Sequence, residues 1–373
     1  MFDGWRVIIM HGGNLRRARE LYGQDSFLDL SANINPFGPP ESVWDKIRET
    51  LPQIVNYPDP ESKQLRSELA SVYQLPVNKI MVGNGAGELL FTLLQSLKPK
   101  KVAIPTPSFS EYEQAARAAS AEIFYIPLGA QGWSGLSPVN TTEERAIFRD
   151  IWQQHLNGCD LLFICSPHNP TGSLISKEHF QLLLEISRGI NCHIIFDESF
   201  FDFLPEETRW SARLDLEFNP QLIVLYSMTK FYSLPGLRLG ACFASSDVIS
   251  HSRLFRDPWS VNVLAEQAGI AALQDKNFPA LVRQKLNESK KFFTVNLKQS
   301  TYKSLKVLPG SANFVLVELL DHCSGEFVKA LANHGILVRD CANFKGLQGS
   351  YIRIAIKDIS SMKHLLNALS LII

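Results

Sequence analysis

The chain has 373 residues, 45% hydrophobic and 20% charged, with Lys+Arg and Asp+Glu equal at 37. That length accommodates one large domain and a smaller one, and zero net charge speaks against a nucleic-acid surface or a polybasic membrane anchor. No stretch approaches the roughly 18 consecutive apolar residues of a membrane span, so a cytoplasmic protein with no membrane or nucleic-acid partner is the expectation.

The opening Met1–Met10 has no basic start and too short an apolar run for a signal peptide. Met10, directly before His11, is an alternative start that would make residues 1–9 an extension. Residues 11–60 pass through His11-Gly12-Gly13-Asn14, Asn33-Ile34-Asn35-Pro36-Phe37-Gly38 and Asn56-Tyr57-Pro58-Asp59-Pro60, turn signals with one helical stretch near 41–51. Such a long irregular arm is usually functional or wraps a partner. Beyond it the chain alternates. A helix over 61–73 precedes a strand at Lys79–Val82, the turn Gly83-Asn84-Gly85-Ala86-Gly87, a helix from Glu88 to about Leu97, and strands at 101–104 and near 122–126. Apolar runs at 161–165, 193–196 and 222–226 read as buried parallel strands with helices between them, which predicts an α/β domain with a largely parallel sheet. Strands at 313–319, 336–338 and 351–356, with helices ending at Gly335 and starting near 359, predict a smaller α+β domain at the C-terminal end. The expected division is an arm over 1–45 that belongs to the small domain and the active site, a large domain over 46–265 and a small one over 266–373.

The six cysteines show no C-x-x-C pair and read as buried reduced thiols, and the nine histidines show no metal-ligand spacing, so no metal is expected. The chemistry lies elsewhere. Three apolar strands run into polar groups: the first into Ser166-Pro167-His168-Asn169-Pro170-Thr171-Gly172, the second into Asp197-Glu198-Ser199, the third into Ser227-Met228-Thr229-Lys230. Ligands of open parallel sheets bind at the carboxyl ends of strands, so Asn169, Asp197 and Lys230 are expected to face one pocket. A lysine against an apolar wall is pushed toward its neutral, nucleophilic amine. An aspartate ending the Ile194-Ile195-Phe196 run needs a cationic or proton-bearing partner, for which a protonated pyridine nitrogen serves. Gly85-Ala86-Gly87, between strand and helix, would aim backbone N–H groups at an anion, and Ser227 and Arg238 flank Lys230 as further phosphate ligands. Ser227-x-x-Lys230 also opens the reading of a penicillin-binding serine acylase, but the Ser-Asp-Asn and Lys-Thr-Gly signatures are missing. Arg339 and Arg353 sit in the C-terminal strands, and Arg353 is either edge-exposed or a carboxylate clamp.

Taken together, Ser166–Gly172, Asp197-Glu198, Ser227–Lys230 and Arg353 resemble the fold-type I pyridoxal 5'-phosphate enzymes of the aminotransferase class I/II superfamily, over nearly the whole chain and in the same order. Two branches resemble it further through Asn33–Gly38, Tyr57–Asp59 and Gly335–Asp340: the histidinol-phosphate aminotransferases and the L-threonine-O-3-phosphate decarboxylases of cobalamin biosynthesis. His11–Asn14, Ser31–Pro36, Ser227–Arg238 and Arg339–Phe344 look like the decarboxylases. The resemblance implies that Lys230 carries the cofactor as a Schiff base, Asp197 pairs with the pyridine nitrogen, Asn169 binds the ring oxygen and Phe109 stacks on the ring. It implies that Ala86, Gly87, Ser227 and Arg238 hold the cofactor phosphate, with Tyr57 reaching the phosphate of a neighbouring subunit in a homodimer. It further implies that Arg353 and Arg339 bind the carboxylate of a small phosphorylated amino acid, with His11, Gly12 and Asn35 near its phosphate. One position departs from the superfamily: three residues after Asp197, where many members place a tyrosine, stands Phe200.

Overall fold

Short Val, Ile and Leu-rich runs, each too short for a helix and bounded by loops, alternate with helices from residue 80 to 243, and the only way to bury both faces of such strands is a central sheet with helices on either side. The computed structural model describes residues 12–298 and 302–373. In chain order its strands are β1 (Leu28–Asp29), β2 (Ile80–Gly83), β3 (Lys101–Thr106), β4 (Glu122–Pro127), β5 (Leu161–Cys165), β6 (His193–Asp197), β7 (Leu222–Ser227), β8 (Gly240–Phe243), β9 (Leu305–Val307), β10 (Phe314–Leu319), β11 (Ile336–Leu337), β12 (Arg339–Asp340) and β13 (Tyr351–Ala355). Seven form one sheet in the order β2-β8-β7-β6-β5-β3-β4. Strands β3 to β7 pair in parallel, while β8 runs antiparallel to both β2 and β7.

The period of two along each strand divides the core into two layers. Leu162, Ile164, Ile194, Phe196, Val224 and Tyr226 face one cluster. Leu161, Phe163, Cys165, Ile195, Ile223 and Leu225 face the other. A second, antiparallel sheet of order β12-β13-β10-β9 makes the smaller C-terminal layer, and β1 of the N-terminal arm pairs in parallel with β11 beside it. The fold is thus the fold-type I arrangement expected, a mostly parallel large sheet with a smaller C-terminal α+β part. Among the described residues no helix is long and apolar enough to cross a membrane.

Several elements differ from the sequence reading. The arm holds a helix, Leu15–Tyr22, capped by the Asn14 side chain, which accepts from the Arg17 N–H, and closed at Gly23 with φ +64. Leu15, Ala18 and Tyr22 recur in it at helical spacing, but the helix is only 8 residues long and lies among glycine and asparagine turn signals, which masked it. The helix expected from Glu88 starts at Gly85, so the glycine turn is its first turn. Strand β8 was not anticipated; it follows Arg238 directly and inserts between β2 and β7. Five of the six cysteines are buried and Cys323 is exposed.

Gly240 opens β8 opposite Ser227, and a Cβ there would lie 2.4 Å from the Ala86 nitrogen, a backbone atom that cannot swing aside. Gly240→Ala is therefore expected to destabilise the protein by about 1–3 kcal/mol, read as a lowered urea midpoint; a midpoint equal to the parent's would refute this close approach.

Candidate active site

The carboxyl ends of β5, β6 and β7 open into a cavity of about 320 Å³ lined by Asn169, Asp197, Ser227 and Lys230, closed from the small-domain side by Arg339 and Arg353 and from the arm by Gly12 and Ser31–Ile34. Register places the first three strands side by side, with Cys165 opposite Asp197 and Asp197 opposite Leu225. Asp197 therefore points into the cavity from the central strand. Its Oδ1 accepts the Ser199 N–H at 2.8 Å and its Oδ2 accepts the Tyr112 hydroxyl at 2.6 Å. Lys230 sits in the single turn Met228–Phe231 that follows β7. Its Nζ donates to Ser227 Oγ at 3.2 Å and lies 5.2 Å from the centre of the Phe200 ring. Burial pushes the ammonium below its ordinary range, and the Asp197 charge pulls it partly back up.

At the opposite end the helix Gly85–Leu97 begins with no side chain capping it. Its first N–H groups are the kind that bind anions. Arg238 lies against this turn: a Cβ on Gly85, whose φ is +84, would meet Arg238 Nη2 at 2.6 Å. Arg238 itself has φ +56, a left-handed conformation that costs energy for a residue with a side chain and is held here by its surroundings. Ser227 Oγ and Thr229 Oγ1 share a hydrogen bond of 2.7 Å beside it. Uncapped N–H groups, two hydroxyls and a guanidinium are the donor set of a phosphate cradle.

The small-domain wall carries two arginines opposite one another in register, Arg339 on β12 and Arg353 on β13. Arg353 Nη1 donates to Asn169 Oδ1 and Nη2 to the Ser31 carbonyl at 3.1 Å, while its buried Nε has no hydrogen-bond partner among the described residues. Burial lowers Arg353 to about 10, and no carboxylate is among the groups acting on it. Arg339 Nη2 donates to Asn343 Oδ1 at 2.8 Å. With Asn169 Oδ1 taken by Arg353, the amide's NH2 is the group left to act as a donor in the cavity.

A pyridoxal phosphate fits this donor set. The cradle suits its phosphate, Asp197 its pyridine nitrogen, the Asn169 NH2 its ring oxygen, and Lys230 its aldehyde carbon; Phe109 lines the same cavity. Of the residues expected from sequence, Gly12, Ala86, Gly87, Phe109, Asn169, Asp197, Ser227, Lys230, Arg238, Arg339 and Arg353 all line it. Asn35 does not. Its amide donates to the Phe231 carbonyl at 2.9 Å and its own N–H to the Lys230 carbonyl at 3.0 Å, so it braces the turn carrying Lys230 instead of facing a ligand. Tyr57 is 82% exposed, away from this cavity, with its ring 4.8 Å from that of Trp259. His11 lies outside the described residues. Sequence reading missed Thr229 and Tyr112. Tyr112 was findable, since it follows Phe109 by three residues at the start of a helix, a spacing that puts both on one face.

The sequence model of the family described as aminotransferase class I and II matches residues 25–369. A threonine-phosphate decarboxylase of Salmonella typhimurium is 38% identical over 366 residues, covering 96% of this chain and 95% of that one. The crystal structure of a histidinol-phosphate aminotransferase from Clostridium acetobutylicum matches with a TM-score of 0.82 at 29% identity, covering 92% of this chain and 98% of that one. That of an L-threonine-O-3-phosphate decarboxylase from Porphyromonas gingivalis matches with a TM-score of 0.79 at 26% identity, with the same coverage of 92% and 98%.

Because the Asp197 charge raises Lys230 while burial lowers it, removing that charge exposes the burial effect alone. In the protein freed of cofactor, labelling of Lys230 by trinitrobenzenesulfonate should set in below the ordinary lysine value of 10.5, and at a lower pH again in Asp197→Asn. The ammonium is unreactive below its folded value and the amine is released as pH rises through it, so an onset that moves upward in the variant would contradict this electrostatic account.

Proposed function

The chain belongs to the class I and II aminotransferase family, and from that membership we propose that it uses its pyridoxal 5'-phosphate to decarboxylate O-phospho-L-threonine, giving (R)-1-aminopropan-2-ol O-phosphate for cobalamin biosynthesis. The observation that carries an amino-acid substrate is Arg353: a buried guanidinium that faces the cavity beside Lys230, with an Nε that has no hydrogen-bond partner among the described residues, suits a substrate carboxylate. Decarboxylation is favoured by the 38% identity, over almost the full length of both chains, to the Salmonella protein.

Bound at this site, the cofactor supplies an electron sink for the pair left on Cα when one of its bonds breaks. The chain's own residues decide which bond that is. Arg353 and Arg339 hold the carboxylate and so set its angle to the ring. The position in which these arginines would hold the carboxylate relative to Lys230 would decide between release of carbon dioxide and removal of the Cα proton. Lys230, kept partly desolvated, would be the group placed to give a proton to Cα in a decarboxylation or to take one from it in a transamination. Asn169 couples the two ends of the site, since Arg353 holds its oxygen while its NH2 serves the ring oxygen. Phe200 offers that oxygen no donor. The second reading, a histidinol-phosphate aminotransferase, draws on the match to the Clostridium acetobutylicum structure.

Incubating the loaded enzyme with O-phospho-L-threonine and no oxo acid distinguishes the two. Stoichiometric carbon dioxide release with the cofactor absorbance restored is expected. No gas, with turnover of histidinol phosphate that depends on 2-oxoglutarate, would replace the decarboxylase by the aminotransferase.

We also propose a homodimer in which Tyr57 serves the neighbouring subunit's cofactor phosphate. Leu51, Ile54, Val55, Tyr57 and Leu254 are exposed apolar or aromatic side chains around this region, more than a free surface usually carries. Mixing Tyr57→Ala chains with Lys230→Ala chains should restore activity that neither has alone, because one site of each mixed dimer regains both residues; no gain on mixing would place Tyr57 outside the neighbour's site.

A further inference from the structure

We propose that Tyr112 is a positioning residue of the cofactor site, its hydroxyl fixing the orientation of the Asp197 carboxylate toward the pyridine nitrogen. The proposal rests on the cofactor-binding part of the proposed function and on neither of its two reactions.

Tyr112 lies near the start of the helix Ser110–Ala118 and is 2% exposed. Its ring stacks on Phe163 of β5 with centres 4.5 Å apart and planes within 7°, and it meets Phe109 edge-on at 5.7 Å. These contacts need only a phenyl ring. The hydroxyl has a separate use: it donates to Asp197 Oδ2 at 2.6 Å, while the Ser199 N–H takes Oδ1 at 2.8 Å. Two donors on two different oxygens leave the carboxylate no rotation about its bond to Cβ. The phenol holds its proton firmly, because burial and the neighbouring negative charge push it well above its ordinary range. It can therefore donate to Asp197 across the working range of pH. The Cys165 thiol lies beside it, donates to the Pro167 carbonyl at 3.2 Å and is pushed up to about 12 by burial. Tyr112 and Ser199 each use one lone pair of a different oxygen, which leaves the carboxylate free to accept from a protonated ring nitrogen in the cavity.

The test uses the full chain reconstituted with pyridoxal phosphate labelled with nitrogen-15 in the ring. In Tyr112→Phe the ring-nitrogen resonance should move from its protonated position toward the neutral one. The cofactor's dissociation constant should rise on the order of tenfold, the loss expected for one hydrogen bond to a charged group. With substrate, kcat should fall while KM stays within about twofold, because Tyr112 acts on the cofactor and not on the carboxylate clamp. Phe163→Leu separates this from packing: it removes the stack but keeps the donor, so it should lower the thermal midpoint and leave the nitrogen resonance in place. A parent-like resonance and dissociation constant in Tyr112→Phe would overturn the proposal, as would an equal resonance shift in Phe163→Leu. A parent chain that takes up no pyridoxal phosphate would instead overturn the cofactor reading beneath it.

Discussion

The lateral register of β5, β6 and β7 is the constraint on which the site depends. Cys165, Asp197 and Leu225 stand in one row across three parallel strands. Side chains alternate faces along a strand, so a slip of one residue in β6 would turn Asp197 into the hydrophobic layer and Phe196 into the cavity. The apolar layers on both faces hold that register. Ile195 faces one cluster and Ile194 and Phe196 the other, and all three are buried. Moving the strand would expose these side chains as well as bury a charge. The position of one carboxylate is thus fixed by roughly a dozen aliphatic and aromatic side chains that never touch a ligand.

Within that frame the charges are arranged by end. Arg238 and the uncapped start of the helix Gly85–Leu97 make one end of the cavity positive; Arg339 and Arg353 make the other end so. Asp197 and Lys230 lie between. A molecule with an anion at each end and a proton-bearing ring in the middle complements all three zones at once, which is the charge pattern of pyridoxal phosphate joined to an amino acid. The buried arginines would be costly in an apolar protein interior without such a partner, and the orphan Nε of Arg353 records that cost. Stability conceded in the free protein is recovered as binding energy directed to the reacting end.

How much of this was legible in sequence follows from which signals are local. The buried strands read clearly because both faces are apolar and each run ends abruptly in Asn169, Asp197 or Lys230. The cradle read partially: its glycines were visible, but the helix starts at Gly85 and not Glu88, since propensity disfavours glycine where an anion site requires it. Strand β8 is four residues long and owes its place to pairing with β2 and β7, which no window on the sequence contains. Asn35 was misassigned for the same reason. An asparagine in a glycine and proline-rich arm suits either a ligand or a backbone brace, and the carbonyl that decided it belongs to Phe231, 196 residues away. Tyr112 stands a visible three residues after Phe109, but the acceptor of its hydroxyl lies 85 residues away on β6.

The N-terminal arm shows how the two ends of the site can be mechanically joined. Its carbonyls are claimed one after another by the small domain: Leu30 by the Ala355 N–H, Ser31 by Arg353, Asn33 by Asn313 and Ile34 by Lys357. Directly afterwards Asn35 turns to the large domain and braces the carbonyls of Lys230 and Phe231. The segment from Ser31 to Asn35 therefore links Arg353 to the turn that carries Lys230. Ser31 links this bridge to the segment before it, because its hydroxyl accepts the Gly13 N–H while donating to Asp29, and Gly12 packs so closely that a Cβ would fall 2.2 Å from the Ser31 carbonyl oxygen. The same carbonyl accepts from Arg353. The Ser31 carbonyl thus stands between Arg353 and the close-packed Gly12 at the wall of the cavity. Glycine at position 12 is what lets the segment lie so close.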